Sequence, residues 1–303
     1  AMDEMILDNY RQFSTYTNPG CYEAFFKSLP DDIPALGRLV CSQVIHRVAL
    51  KNGNTGANAD QKYGDMTKYP WYRLRCDDDV LVTAAAMVAE LLRLDARGFK
   101  PDRVVEHKIV ITCRYVSVLM SSILKSKGIP ARCRSGFAPY CLLGVSADHW
   151  INQYWSGTER RWIMCDADGF FEDLEFDQFD IPDDKFCWAA NAWLDIRHGK
   201  TDGKKFLYAD EHDTRGLRAA IRAIFYDFHA LMNNEISYEF QPRYVAGKFD
   251  QLTEADFAEI DELATLMLDP DGNFDALVHI WDTRRKFRIL NSPLVGDGDH
   301  TGI

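Results

Sequence analysis

Residues 112–130 constrain the fold more than any other part of the chain. Their apolar side chains recur at the i, i+3, i+4 spacing of a buried helix face. Thr112 is a suitable N-cap, Gly128 suits the position just past the helix end, and Pro130 prevents continuation. Cys113 therefore lies in the first turn of a predicted helix, on its core-facing side. The apolar positions are Val116, Leu119, Met120, Ile123 and Leu124.

Three strands are predicted after this helix, at residues 131–138, 149–155 and 160–166, with SGTE as the loop between the last two. His149 begins the second strand and Asp166 ends the third. Side chains alternate between the two faces of a strand, so an antiparallel hairpin could bring His149 and Asp166 together. Asp168 is two residues further on and shares the face of Asp166, which makes it a substitute carboxylate.

The three residue types suit nucleophilic thiol chemistry. A thiol is a good nucleophile only as the thiolate, which a helix N-terminus and a nearby imidazole both favour. A carboxylate beside the imidazole fixes its tautomer and orientation. Cys113, His149 and Asp166 are therefore the candidate nucleophile, base and orienting group.

Catalysis of this kind also needs hydrogen-bond donors that face the developing oxyanion. The backbone N–H of Cys113 is one candidate. A second is expected from residues 51–75, a loop rich in Gly, Asn and Asp with no apolar period. The loop candidates are Gln61, Tyr63, Trp71 and Tyr72, and Trp150 is a candidate for lining the substrate site. Ordinary packing is the plainer interpretation of each of these five side chains.

These motifs together resemble the transglutaminase-like superfamily, over about residues 112–168. The family pattern is a Cys that opens a helix leading into G-I-P-A-R, then a strand with H-W, then a W-x-x-x-D strand. Here the pattern reads Cys113, residues 128–132, His149-Trp150 and Trp162 to Asp166. The resemblance implies an α+β, papain-like core with the Cys helix packed on an antiparallel sheet. It also implies that Cys113 is the nucleophile, His149 the base and Asp166 the orienting residue.

The flanking sequence is mainly helical. Helical spacing is found in the first fifty residues, where Val44 and Ile45 belong to the pattern, and again over residues 77–97. After residue 186 the helical pattern returns, and Thr253 and Asp256 form an acidic variant of the capping box. We therefore predict a catalytic core with a helical N-terminal part at residues 1–195 and a mostly helical C-terminal extension at 196–303.

Composition restricts the partners and the cofactors. The net charge of −11 is opposite to what nucleic-acid binding needs. No apolar run approaches the roughly 20 residues that cross a bilayer, and the first residues lack the pattern of a signal peptide, so a cytoplasmic location is expected. The eight cysteines include no C-x-x-C pair, and the histidines include no H-x-x-x-H pair. We therefore expect neither a metal nor a cofactor.

The sequence favours a cysteine hydrolase that cleaves an amide or peptide bond through a thioester on Cys113. Its substrate would be a peptide, a protein or a small amide, and no membrane or nucleic-acid partner is expected. Two alternatives stay open: acyl transfer to an amine, as in a transglutaminase, and a non-catalytic binding or scaffold protein on the same fold. Self-association and the identity of the substrate are not decided by the sequence.

Overall fold

The computed structural model describes residues 2–52, 63–78, 80–169, 171, 173–209, 212–238, 240–242, 245 and 248–289. Its helices are α1 (Glu4–Arg11), α2 (Glu23–Lys27), α3 (Ile33–Cys41), α4 (Ala84–Leu94), α5 (Cys113–Ser126), α6 (Ala189–Arg197), α7 (Leu217–Leu231), α8 (Glu254–Met267) and α9 (Phe274–Thr283). Its strands are β1 (Val44–His46), β2 (Ile109–Ile111), β3 (Ala131–Leu142), β4 (Val145–Ser156), β5 (Arg161–Cys165), β6 (Cys187–Trp188), β7 (Phe206–Tyr208) and β8 (Thr214–Arg215).

The strands form two sheets. In the larger sheet the order is β6-β3-β4-β7-β8, and β5 also pairs with β4. β4 and β5 are antiparallel, as the predicted hairpin requires, but β4 and β7 are parallel. The sheet is therefore mixed rather than wholly antiparallel. β1 and β2 form a separate parallel pair. The predicted α+β class is confirmed.

Helix α5 is buried along its whole length, as the apolar stripe predicts for one face. All of its side chains, including those of Arg114 and Lys125, are buried. Arg114 donates to the carbonyl of Val82 at 2.7 Å, and Lys125 donates to the carbonyl of Gln12 at 2.7 Å. These bonds compensate part of the cost of removing the charged groups from water.

The chain forms two compact units. One comprises residues 1–6, 133–150 and 182–303, and the other comprises 7–132 and 151–181. In the first, α7 packs on α6, and α6 packs on α8. In the second, α5 packs on α2, α3 and α4. The division at residue 195 stays a prediction from the sequence.

The N-terminal pattern differs from its prediction at Val44 and Ile45. Both residues belong to β1, where they pair with Ile109 and Val110 of β2, instead of continuing α3. The helix predicted over residues 77–97 is shorter, because Thr83 caps it and α4 begins at the next residue. The capping box of Thr253 and Asp256 at the start of α8 is confirmed.

None of the helices in the described part of the chain combines the length and the apolar character needed to cross a membrane.

A neutral histidine is buried in α7. The Nδ1 of His229 lies 2.7 Å from the carbonyl oxygen of Phe225, and the His229 ring packs edge-on to Trp281 at 5.0 Å. Burial lowers the pKa of this imidazole from 6.5 to about 4, and the positive charge of Arg288 acts in the same direction. The folded protein therefore takes up this proton at a lower pH than the unfolded chain does.

We expect the free energy of unfolding to decrease as the pH falls from 6.5 to about 4, the interval in which only the unfolded chain protonates His229. At about 1.4 kcal/mol per pH unit, the loss amounts to about 3 kcal/mol. Urea unfolding at neutral pH and near pH 4 measures this loss in the free energy of unfolding. His229→Asn keeps a donor for Phe225 and should remove most of this dependence. His198→Asn, at an exposed position after α6, should keep it, and equal slopes in the two variants would contradict the assignment.

Candidate active site

Cys113 is the first residue of α5, directly after β2 and the N-cap residue Thr112. The sequence predicts that the Thr112 hydroxyl accepts an N–H from the first turn of the helix. In the structure it makes no such bond and instead donates to Oδ2 of Asp78 at 3.0 Å. The helix therefore begins without a side-chain cap from Thr112, and the partial positive charge of its N-terminus acts on the thiol. The Cys113 side chain is buried, with 5% of its surface exposed.

Buried polar contacts fix α5 against β4. The Ser117 hydroxyl, one turn after Cys113, donates to the carbonyl of Ile151 at 3.0 Å. The amide of Asn152 donates to the carbonyl of Ser117 and to the hydroxyl of Ser121, both at 2.9 Å. Each of these groups is out of reach of water, so losing a partner would leave an unsatisfied polar atom and cost about 1–3 kcal/mol. The start of α5 is therefore fixed beside one stretch of β4.

His149 lies on β4 and is buried. Its ring packs edge-on to that of Tyr140, with 6.2 Å between the centroids. The backbone of an ordered strand sets the direction of the imidazole, as the sequence predicts for a strand histidine.

Two buried aspartates follow β5. The Asp168 backbone N–H donates to Oδ1 of Asp166 at 2.9 Å. The Asp166 backbone is held in turn by Gln178, which accepts from its N–H at 2.8 Å and donates to its carbonyl at 2.8 Å. The Asp166 carboxylate thus shapes the turn that carries Asp168.

The side chains of Cys113, His149 and Asp168 form one buried group. The thiol sulfur, an imidazole nitrogen and a carboxylate oxygen all lie within 4.8 Å of one another. Asp166 is not a member of this group among the described residues. Thiol, imidazole and carboxylate are also zinc-ligand types, so within the described part of the chain these three residues form a group that could hold a metal.

The register of β4 and β5 is consistent with the place of Asp168 in the group. The two strands pair Asn152 with Cys165 and Ser156 with Arg161, and the pairing ends at Cys165. If this register were continued by three positions, residue 168 and not residue 166 would lie opposite His149. The connecting loop is residues 157–160, and its last residue, Arg160, has the left-handed φ of 52° that closes it.

The structure describes four of the five remaining predicted site residues. Trp150 is buried and packs on Tyr226, with 5.7 Å between ring centroids. Trp71 and Tyr72 are exposed and in edge-on contact at 5.8 Å. Tyr63 lines a surface cavity of about 450 Å³, and its carbonyl accepts from Lys108 at 2.9 Å. Gln61 lies outside the described residues.

His46 and Cys41 adjoin the carboxylates and are not singled out by the sequence. The Nε2 of His46 lies 3.7 Å from Oδ2 of Asp168. Burial raises the pKa of the Cys41 thiol to about 12, and the charge of Asp168 adds to this effect. Neither residue stands in a recognisable motif, so only the folded chain reveals them.

Several other thiols are held in the neutral form by burial, which raises their pKa. The pKa rises to about 12 for Cys76 and to about 11 for Cys187. It also rises for Cys165, where the charge of Asp166 adds to the effect of burial. Cys21 is exposed.

Comparison with known proteins shows a family match over part of the chain. Residues 90–167 match the model of the Transglutaminase-like superfamily. A candidate cysteine protease from Cytophaga hutchinsonii is structurally similar, with a TM-score of 0.34 and 14% identity. That similarity covers 63% of this chain and 50% of the Cytophaga protein, so this chain spans about half the length of that protein. No curated protein matches the chain.

Proposed function

We propose that the chain is a cysteine hydrolase acting on an amide or peptide bond, and the match of residues 90–167 to the model of the Transglutaminase-like superfamily supports this. The observation that carries the proposal is the buried group of Cys113, His149 and Asp168, whose functional atoms lie within 4.8 Å of one another. A thiol at a helix start, an imidazole and a carboxylate are the parts that nucleophilic thiol catalysis requires.

The proposed reaction has two halves. The Cys113 sulfur attacks the carbonyl carbon, a C–S bond forms, and the C–N bond breaks as His149 gives its proton to the leaving amine. Water then attacks the thioester while His149 takes its proton, and the C–S bond breaks to release the acid and the thiol. The backbone N–H of Cys113 is a candidate oxyanion donor.

The carboxylate that orients His149 is, in this proposal, Asp168, the substitute identified in the sequence beside Asp166. Its membership of the buried group and the continued strand register both support this assignment. Asp166 supports it through the hydrogen bond from the Asp168 backbone N–H to Oδ1 of Asp166. The two residues would then have separate roles, Asp168 on the imidazole and Asp166 on the backbone of Asp168.

Cys113 should react with iodoacetamide faster than the exposed Cys21 at neutral pH. A thiol with the usual pKa is mostly protonated at neutral pH. A thiol held as the thiolate should therefore be alkylated about tenfold faster, even though a thiolate of lower pKa is a weaker nucleophile. Mass spectrometry of the full chain gives both rates in one sample. Cys113→Ala should remove the fast phase and leave the labelling of Cys21 unchanged. Equal rates at the two thiols would contradict an activated thiolate and favour the non-catalytic alternative.

Two matched variants should separate the aspartates. Asp168→Asn should lower kcat/KM on the acyl probe p-nitrophenyl acetate by at least about a hundredfold, since an amide does not hold the imidazole as a carboxylate does. Asp166→Asn retains an oxygen that accepts the Asp168 N–H, so its loss should be much smaller. The reverse order of losses would make Asp166 the orienting residue, as the sequence first suggests.

Acyl transfer to an amine is the second candidate function, because both reactions share the thioester. The competition between water and amine depends on how far the site excludes water. With p-nitrophenyl acetate as donor and a primary amine such as glycinamide added, a hydrolase should release mainly acetate. Acetylated glycinamide as the main product, absent with Cys113→Ala, would instead establish a transferase. The peptide or small-amide substrate and the cytoplasmic location stay predictions from the sequence.

A further inference from the structure

The short strand β1 ends beside the start of the helix that carries Cys113. In the parallel pairing of β1 with β2, His46 is opposite Ile111, two residues before Cys113. β1 is only three residues long, and His46 is its last residue. The strand therefore places a second imidazole at the end of β2, where α5 begins.

The contacts of His46 define which ring nitrogen carries its proton. The Val48 backbone N–H donates to Nδ1 of His46 at 3.2 Å, so Nδ1 is an acceptor. The proton of the neutral ring is then on Nε2, which lies 3.7 Å from Oδ2 of Asp168. This distance is longer than a hydrogen bond but within the range of an electrostatic contact. The His46 side chain is 27% exposed, whereas that of Asp168 is 5% exposed.

Several titratable groups surround Asp168. Among the described residues they include His46 from β1, Cys41 from α3, Cys113 from α5, His149 from β4, and Asp166 from its own segment. Lys108, just before β2, acts electrostatically on Cys41. A buried carboxylate in such surroundings needs donors that favour its charged form and fix its orientation.

We infer that His46 is a positioning residue that acts through Asp168. Its Nε2–H faces Oδ2 and limits rotation of the carboxylate away from His149. The inference rests on the proposed function, because it gives His46 a role only if Asp168 orients the base. It extends the group of three residues by a fourth, supplied from an element 67 residues before Cys113 in the sequence.

Two substitutions at His46 test its contact with Asp168 separately from its contact with Val48. His46→Gln keeps an N–H donor near the position of Nε2, toward Asp168. His46→Asn keeps only an acceptor near the position of Nδ1, toward Val48. We expect His46→Asn to lower the iodoacetamide labelling rate of Cys113, and kcat/KM on p-nitrophenyl acetate, by about tenfold, a typical effect of removing a residue that orients a functional ligand. His46→Gln should recover most of both rates.

A double variant of His46 and Asp168 distinguishes a role through Asp168 from a merely structural role. In the Asp168→Asn background, His46→Asn should have no further effect on labelling, since the group through which it acts is already removed. Thermal unfolding of all variants establishes that they are folded, and His198→Asn is the matched control at an exposed histidine. Independent, multiplying losses in the double variant would overturn the inference.

The outcomes also separate this inference from the proposed function. If Cys113 of the unaltered chain labels no faster than Cys21, the proposed function fails and the role of His46 fails with it. If iodoacetamide labels Cys113 rapidly in the unaltered chain and equally rapidly in His46→Asn, only the proposed role of His46 is wrong. If His46→Gln is as slow as His46→Asn, the Nε2–H is not the group that matters, and the inference is overturned.

Discussion

The burial of helix α5 on every side is the constraint on which the candidate site depends. A fully buried helix must satisfy each of its polar side chains within the protein. Ser117 does so at Ile151 of β4, Ser122 at the carbonyl of Thr17, and Lys125 at the carbonyl of Gln12. These partners come from separate segments, so a shift of the helix along its axis would break several bonds at once. The position of Cys113 follows from this arrangement, because the thiol lies one turn before Ser117.

The start of α5 is fixed although it lies at the end of a buried helix. The polar side chains along α5 hold the helix in place, and Cys113 lies in its first turn, where the backbone N–H groups have no partner within the helix. Thr112 donates its hydroxyl to Asp78 and so leaves that end without a side-chain cap. The local rule for helix starts is therefore relaxed at the residue that we propose as the nucleophile.

The sequence predicts elements with strong local signals and misplaces those that depend on distant partners. The helix that became α5 has an apolar stripe, and Gly128 and Pro130 mark its end, so its bounds follow closely from the residues. Val44 and Ile45 have apolar side chains that also fit a helix. They form a strand because β2, more than sixty residues later, offers a parallel partner. Pairing over such a distance leaves no local pattern in a three-residue strand.

The loop between β4 and β5 shows how a small local difference changes a predicted strand register. With SGTE as the loop, the hairpin would pair position 149 with position 166. The structure places the loop at residues 157–160, because Arg160 adopts the left-handed conformation and Ser156 pairs with Arg161. Moving an antiparallel turn by one residue shifts every partner by two, which keeps the strand face but would bring position 168 instead of position 166 opposite position 149. Both aspartates share that face, so the alternating pattern of the strand cannot choose between them. The choice depends on the backbone conformation of one loop residue, and an arginine gives no sign that it will adopt a positive φ.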